Sequence, residues 1–329
     1  MIKYPPRVNL ARLPTPLTPL ERFSAALGGP TIWVKRDETT GTEISGNKVR
    51  KLEYVIAQAL AENCDTLVTC GGVQSNHCRA TAVLGARLGL KVHLILRGNR
   101  PSVADGNLML DYVAGARITY IPESQWATHE EVATQLQSNY STSGDKAWVI
   151  PVGASDEIGL WGYIAACEEL SEDFTQQGIN PGYIVTATGS GGTQGGLVLG
   201  RELYGLDSEI VAINVCDDAD WFERKIRRDL RLWKQRYNSQ LDVDALPIRT
   251  IEGYVGPGYA RAGPEVFDII CRLARAEGLF LDPVYTAKAF HGMVREIESG
   301  RLADTDHIVF IHTGGLFGVF PQKQYFEFP

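Results

Sequence analysis

The run Thr188-Gly189-Ser190-Gly191-Gly192-Thr193 is rich in glycine and hydroxyl groups, and Gln194-Gly195-Gly196 follows it. Glycines let a backbone fold tightly, so that successive N–H groups converge on one anion. A helix starting at the end of such a run adds positive potential. Ser190 and Thr193 offer further donors. No lysine follows the last glycines, so this is not a Walker loop, and GxGxxG does not fit it either. The chemistry expected is a phosphate cup; a flexible loop is the plain alternative.

Ser45-Gly46-Asn47-Lys48 holds a candidate for covalent chemistry. With Asn47 as a helix cap, Lys48 falls in the first turn. Its ammonium then faces the positive end of the helix dipole, which lowers its pKa. A lysine so tuned suits Schiff-base chemistry. A solvated surface lysine is the ordinary alternative, and Lys51, one turn on, competes for the role.

Gly71-Gly72-Val73-Gln74-Ser75-Asn76-His77 sets three polar side chains at a helix start. Such a start suits a carboxylate or phenolate oxygen, though a capped helix with no ligand reads equally well. His312-Thr313-Gly314-Gly315 lets something flat come close, and Thr313 offers a hydroxyl. His312, beside an apolar strand, is expected to be structural; His77 reads either way. Asp282-Pro283-Val284-Tyr285-Thr286 and Tyr254-Val255-Gly256-Pro257-Gly258-Tyr259 are turns with terminal aromatics. A tyrosine there could stack on a ring or move a proton, and packing alone would also explain it.

These segments sit where loops leave strands. Apolar β-rich runs are expected at Thr31–Lys35, Thr66–Cys70, Lys91–Leu96, Ile118–Ile121, Ala147–Val152, Tyr183–Thr188, Ile210–Val215 and Ile308–Ile311. They are nearly continuous, as strands covered on both faces should be. Helical stretches lie between them: Lys48–Ala61 with Val49, Leu52, Val55, Ile56 and Leu60 in one stripe, then roughly 76–88, 130–138, 159–172, 193–203, 264–277 and 287–298. The alternation predicts an α/β fold with mostly parallel sheets. In such folds ligands gather at the carboxyl ends of strands, a rule that picks out four of the segments above: 45–48, 71–77, 188–196 and 313–315.

Composition narrows the function. The chain has 329 residues with 32 Lys plus Arg and 39 Asp plus Glu, a formal net charge of −7. That balance gives no general attraction for nucleic acid or anionic membrane. No apolar run approaches the roughly 20 residues of a membrane span. The six cysteines are scattered without zinc-ligand spacing, so no metal is expected. No leader is read at the N-terminus, and a reducing cytosol is the default location.

In this order, Ser45-Gly46-Asn47-Lys48-Val49-Arg50-Lys51-Leu52-Glu53-Tyr54, Gln74-Ser75-Asn76-His77, Thr188–Thr193, Asp282-Pro283-Val284-Tyr285 and His312-Thr313-Gly314-Gly315 resemble one family. It is the 1-aminocyclopropane-1-carboxylate deaminase / D-cysteine desulfhydrase group of pyridoxal-phosphate enzymes, with the tryptophan-synthase β-like fold (fold type II). The likeness covers nearly the whole chain. It implies two domains with open, twisted, mostly parallel sheets and helices on both faces. A small α/β domain, 49–158, would interrupt a large cofactor-binding domain, 1–48 plus 159–329. It also implies a homodimer, although no stripe in the sequence defines an interface.

The resemblance assigns roles as well. Lys48 would hold pyridoxal 5'-phosphate and later move the Cα proton. Asn76 would bond the phenolic oxygen, and residues 188–193 the phosphate. Ser75 with nearby N–H groups, joined by His77, would take the carboxylate of a small amino-acid substrate. Tyr285 would flank the ring and Tyr259 the substrate. Cyclopropane deaminases carry Glu directly after the DPVY-type tyrosine and Leu in the terminal-strand motif. Here those positions are Thr286 and Thr313, as in desulfhydrases. A threonine can leave the pyridine nitrogen neutral, which favours expulsion of a β substituent. The expected reaction is D-cysteine to pyruvate, ammonia and hydrogen sulfide. An L-cysteate sulfo-lyase is the nearest alternative. No Arg or Lys is obviously placed for a sulfonate, and Arg79 and Arg97 stay open. A cyclopropane deaminase, a non-catalytic cofactor-binding protein and a nucleotide-binding module are the other readings.

Overall fold

The structure, a computed structural model, describes residues 2–328. In chain order it runs β1 (Leu17–Pro19), α1 (Glu21–Leu27), β2 (Thr31–Lys35), α2 (Asn47–Ala61), β3 (Thr66–Gly72), α3 (Asn76–Leu88), β4 (Lys91–Arg97), α4 (Gly106–Val113), β5 (Arg117–Ile121), α5 (His129–Thr142) and β6 (Ala147–Ile150). There follow α6 (Trp161–Gln177), β7 (Tyr183–Thr188), α7 (Gly192–Tyr204), β8 (Glu209–Asn214), α8 (Ala219–Arg236), β9 (Arg249–Ile251), α9 (Pro264–Glu277), α10 (Thr286–Glu298) and β10 (His307–Ile311).

Two sheets result, in the orders β1-β2-β10-β7-β8-β9 and β5-β4-β3-β6. All pairs are parallel except β1 with β2. Helices cover both faces, and the strand sequences show why. Along β10, Ile308 and Phe310 join one apolar cluster with Phe290 and Met293, whereas Val309 and Ile311 join another with Leu197 and Ile164. Each pleat therefore needs an apolar residue, which gives the continuous runs seen in the sequence.

The four-stranded sheet is built from residues inside 49–158 and the six-stranded sheet from residues outside it. That division is what the expected two domains would need, although α2 crosses the first boundary. Every expected strand is present with small shifts at its ends. β1, β9, α1, α4 and the 18-residue α8 are not among the expected elements. Leu60, expected in the apolar stripe of α2, is exposed, and Ala59 is buried.

One close contact sets the position of α2. A Cβ on Gly162 would lie 2.6 Å from the Arg50 carbonyl carbon. Only glycine lets α6 pass against the α2 backbone at that point.

Candidate active site

A cleft of about 1090 Å³ opens between the carboxyl ends of the two sheets. Its lining includes Lys48, Ser75, Asn76, His77, Thr188, Gly189, Ser190, Gly191, Thr193, Tyr259, Tyr285 and Thr313. Segments far apart in the sequence thus converge at the switch between strands, where α/β folds place ligands.

Lys48 is the second residue of α2. The cap is Gly46, not Asn47, and it makes no side-chain cap bond. Asn47 instead donates its amide to Thr193 Oγ1 at 2.9 Å, tying the lysine segment to the glycine loop. Gly46 has φ +109°, and a Cβ there would stand 2.5 Å from the Thr313 carbonyl oxygen. The start of α2 therefore lies against the end of β10 with no side chain between them. Burial holds the Lys48 ammonium down at about 8 from its ordinary 10.5, and the Asp282 carboxylate only partly opposes this. A near-neutral amine suits attack on an aldehyde, so cofactor-free protein should capture pyridoxal phosphate faster as pH rises from about 6 to about 9, levelling above the lysine pKa. Stopped-flow absorbance would measure it; a flat profile would count against Lys48 as the reacting amine.

Lys51, the competing lysine, is fully buried. Its Nζ donates to Ser155 Oγ at 3.3 Å. Burial, with the charges of Lys48 and Lys225, holds its pKa well below the ordinary value. Ser155 also meets Ser190 Oγ at 2.9 Å and accepts from the Gly192 N–H at 3.1 Å. Lys51 therefore lies beneath the glycine loop rather than beside Lys48's opening. Gly192 does not line the cleft, since its N–H turns to Ser155.

On the other wall, Ser75 caps α3 and accepts from the Cys78 N–H at 3.2 Å. Asn76 accepts from Asn107 Nδ2 at 3.0 Å through its side-chain oxygen. Asn107 is fully buried and also donates to the Gln74 carbonyl at 3.0 Å. The Asn76 carbonyl is thereby engaged, and its NH₂ is left to face the cleft. Asn107→Leu should weaken cofactor binding about tenfold, the value of one hydrogen bond, with the fold retained. A fluorescence titration with pyridoxal phosphate would show it; an unchanged dissociation constant would remove Asn107 from the site.

His77 meets Thr69 Oγ1 at 2.7 Å through Nε2, and Thr69 donates onward to the Ile150 carbonyl. Nε2 therefore carries the proton and Nδ1 is a free acceptor. Burial, aided by Lys48 and Lys51, holds this ring's pKa well below the ordinary histidine value. His312 has both nitrogens engaged, Nε2 with the Phe280 carbonyl at 2.9 Å and Nδ1 with the Gly314 N–H at 3.1 Å. Tyr259 and Tyr285 share a hydroxyl contact of 2.5 Å. Burial raises the Tyr259 pKa to about 12.

Thr286 stands apart from the expectation. Its hydroxyl donates to Asp282 Oδ1 and accepts from the Asp282 N–H, both at 2.7 Å, and it does not line the cleft. It locks the turn that carries Tyr285. Asp282 is equally engaged, accepting from the N–H groups of Val284, Tyr285 and Thr286. The hydroxyl facing the cleft at this end is Thr313.

Ser155 and Asn107 escaped the sequence reading. Ser155 carries a readable signal, since Val152-Gly153-Ala154-Ser155 follows a strand as the other site loops do. Asn107 acts through another side chain and leaves no such trace. Of the two arginines left open, Arg79 is buried and donates to the Glu43 and Ser45 carbonyls at 2.6 and 2.8 Å, whereas Arg97 enters the cleft.

Buried polar atoms without partners mark what the site would hold. Among the described residues Thr188 Oγ1 and His77 Nδ1 are two of them, and Lys51 has a single hydroxyl partner. Gly191, with φ +82°, opens the loop at the N-terminus of α7. An ammonium, hydroxyls and a helix N-terminus around one point fit a phosphate group.

Parallel sheets, a lysine at a cleft and an anion cup define a pyridoxal-phosphate-dependent enzyme of fold type II. A family profile described as pyridoxal-phosphate dependent enzyme matches residues 8–314. An Arabidopsis thaliana protein named bifunctional D-cysteine desulfhydrase/1-aminocyclopropane-1-carboxylate deaminase is 38% identical over 325 residues, covering 95% of this chain and 79% of its own. The crystal structure of a 1-aminocyclopropane-1-carboxylate (ACC) deaminase homologue superposes with a TM-score of 0.89 at 33% identity, covering 97% of this chain and 94% of that one. An O-ureido-L-serine synthase, with a TM-score of 0.67 at 16% identity over 92% of this chain and 90% of its own, shares the fold. The chain belongs to the 1-aminocyclopropane-1-carboxylate deaminase / D-cysteine desulfhydrase family of pyridoxal-phosphate enzymes.

Proposed function

We propose that this enzyme is a β-eliminating lyase acting on a small amino acid with sulfur on Cβ, D-cysteine first among them. The observation carrying this reading is the Thr313 end of the cleft. A hydroxyl lines it, and the neighbouring carboxylate, Asp282, is consumed by its own turn. With no free carboxylate to hold the pyridine nitrogen protonated, expulsion of a β substituent is favoured over ring opening.

Lys48, Asn76 and the cup of Ser190, Thr193 and Lys51 would hold the cofactor. Bound pyridoxal phosphate supplies the electron sink for the pair left at Cα. The α3 N-terminus, with Ser75 and free N–H groups, receives the substrate carboxylate. Lys48, as the neutral amine, takes the Cα proton. The Cα–H and Cβ–S bonds break, a C=C bond forms, and hydrosulfide leaves with the bonding pair. Water then converts the enamine product to pyruvate and ammonia. Tyr259 and Tyr285 border this space and exclude water from one side.

The test is to incubate holoenzyme separately with D-cysteine, L-cysteine, L-cysteate and 1-aminocyclopropane-1-carboxylate and identify the keto acid. Pyruvate from D-cysteine is expected. Pyruvate from cysteate alone would keep the elimination and change the leaving group to sulfite. 2-Oxobutyrate from the cyclopropane would overturn the Thr313 argument. A lysine-bound chromophore with no keto acid would indicate a binding protein. Thr313→Glu should raise long-wavelength absorbance during turnover of D-cysteine; an unchanged spectrum would remove Thr313 from the ring nitrogen.

A further inference from the structure

We propose that Lys288 is a positioning residue that clamps the loop between β9 and α9, residues 252–263, and so holds the Tyr259 ring across the cleft. This rests on the reading of Tyr259 as a border of the substrate space, and the test separates it from the choice of reaction.

Lys288 lies in the first turn of α10, three residues after Tyr285, and its side chain is buried. Its ammonium donates to the Val255 carbonyl at 2.6 Å and to the Gly258 carbonyl at 2.8 Å. A buried cation is tolerated only with such bonds, so the lysine and the loop backbone need each other. Val255, Gly258 and Tyr259 all line the cleft.

The loop does not set its own shape. Gly256, Gly258 and Ala260 have φ of +67°, +141° and +59°, a region that alanine rarely occupies. Inside the loop one backbone bond runs from the Arg261 N–H to the Gly258 carbonyl. From outside, among the described residues, the backbone of 255–260 receives the two Lys288 bonds and a longer one, from Gln322 Nε2 to the Ala260 carbonyl at 3.4 Å. The ring so held reaches the opposite half of the cleft. A Cβ on Gly72, which ends β3, would lie 3.1 Å from Tyr259 Cε1, and the Arg97 guanidinium carbon, at the end of β4, stands 4.8 Å from the ring centroid. The Tyr259 hydroxyl meets that of Tyr285. The start of α10 therefore sets both tyrosines, Tyr285 directly and Tyr259 through the ammonium.

The test uses holoenzyme with Lys288→Met, Lys288→Gln and Lys288→Arg, each with and without Tyr259→Ala. Two quantities are read: kcat/KM for the amino acid turned over, and the affinity for D- and L-alanine, which have no β leaving group, from the cofactor's absorbance. Lys288→Met should lower each at least about tenfold when Tyr259 is present and less than about twofold in the Tyr259→Ala background, with pyridoxal phosphate affinity unchanged. Lys288→Arg, which keeps charge and donors, should recover most of the loss. Amide hydrogen exchange should rise in residues 253–261 and stay constant in α10. Equal losses with and without the Tyr259 side chain would overturn the proposal and make Lys288 a support of the fold. Unchanged exchange in the loop with kcat/KM retained would also overturn it. Lys288→Gln passes through the same measurements, so a methionine variant that fails to fold does not decide the matter. Tyr259-dependent loss of alanine binding, without keto acid from any amino acid, would sustain the clamp and reject the elimination reading.

Discussion

Lys48→Ala is expected to retain the fold and lower turnover by at least about 10²–10⁴-fold, the contribution of one positioned proton-transfer group. Loss of covalent attachment adds to that figure. The position explains the size of the effect. Lys48 opens into the cleft, while burial, only partly opposed by the Asp282 carboxylate, lowers its pKa to about 8. Lys51 cannot replace it, because its ammonium is buried under the glycine loop against Ser155. Borohydride reduction followed by peptide mass spectrometry should place the cofactor on Lys48 in the parent and nowhere in the variant. An adduct on Lys51 with turnover retained would transfer the assignment.

Arg50→Met should destabilise the protein by about 3–5 kcal/mol, the loss seen when one partner of a buried ion pair is removed. Arg50 donates to Asp37 at 2.8 and 2.9 Å and to Glu169 at 2.8 Å. Tyr163 and Thr15 also donate to Asp37, at 2.5 and 2.8 Å. The Asp37 side chain is fully buried, so methionine leaves an uncompensated charge. Burial pushes the Asp37 pKa up, but Arg50 and the Tyr163 hydroxyl outweigh it and hold the carboxyl below its ordinary 3.8. A depressed carboxyl stabilises fully above the unfolded-state pKa and loses that contribution as pH falls through the folded-state value. The variant's deficit should therefore be largest near neutrality and shrink in acid, where Asp37 can be protonated. Urea unfolding at both pH values measures this; a neutral-pH deficit under about 1 kcal/mol, as for an exposed pair, would contradict it. The effect reaches catalysis because Arg50 shares the first turns of α2 with Lys48.

Much of this arrangement is legible in the residues. Parallel strands buried on both faces are apolar throughout, so β7 and β10 stand out in the sequence. Glycine and hydroxyl runs at their ends mark the loops that need close approach or donors. Helix α8 is less legible because charged residues crowd it; its buried Phe222, Ile226, Leu230 and Trp233 form a thin stripe. Thr286 misled for another reason. Its place in the motif is clear, but its side chain has a nearby acceptor in Asp282, and local bonding won. The direction of Arg97 and the partner of Asn76 depend on which strands become neighbours, which a single segment does not encode.

Arg79 also has a mechanical consequence. It rises from α3, beside the four-stranded sheet, and grips the Glu43 and Ser45 carbonyls, with its guanidinium carbon 4.9 Å from the centroid of the Phe317 ring. Ser45 is three residues before Lys48. The two sheets are pinned together beside the reactive amine, while Trp126 and Trp221 lie elsewhere along the lining. Were one sheet to rock over the other, the Arg79 contacts would resist displacement beside Lys48 more than along the rest of the lining.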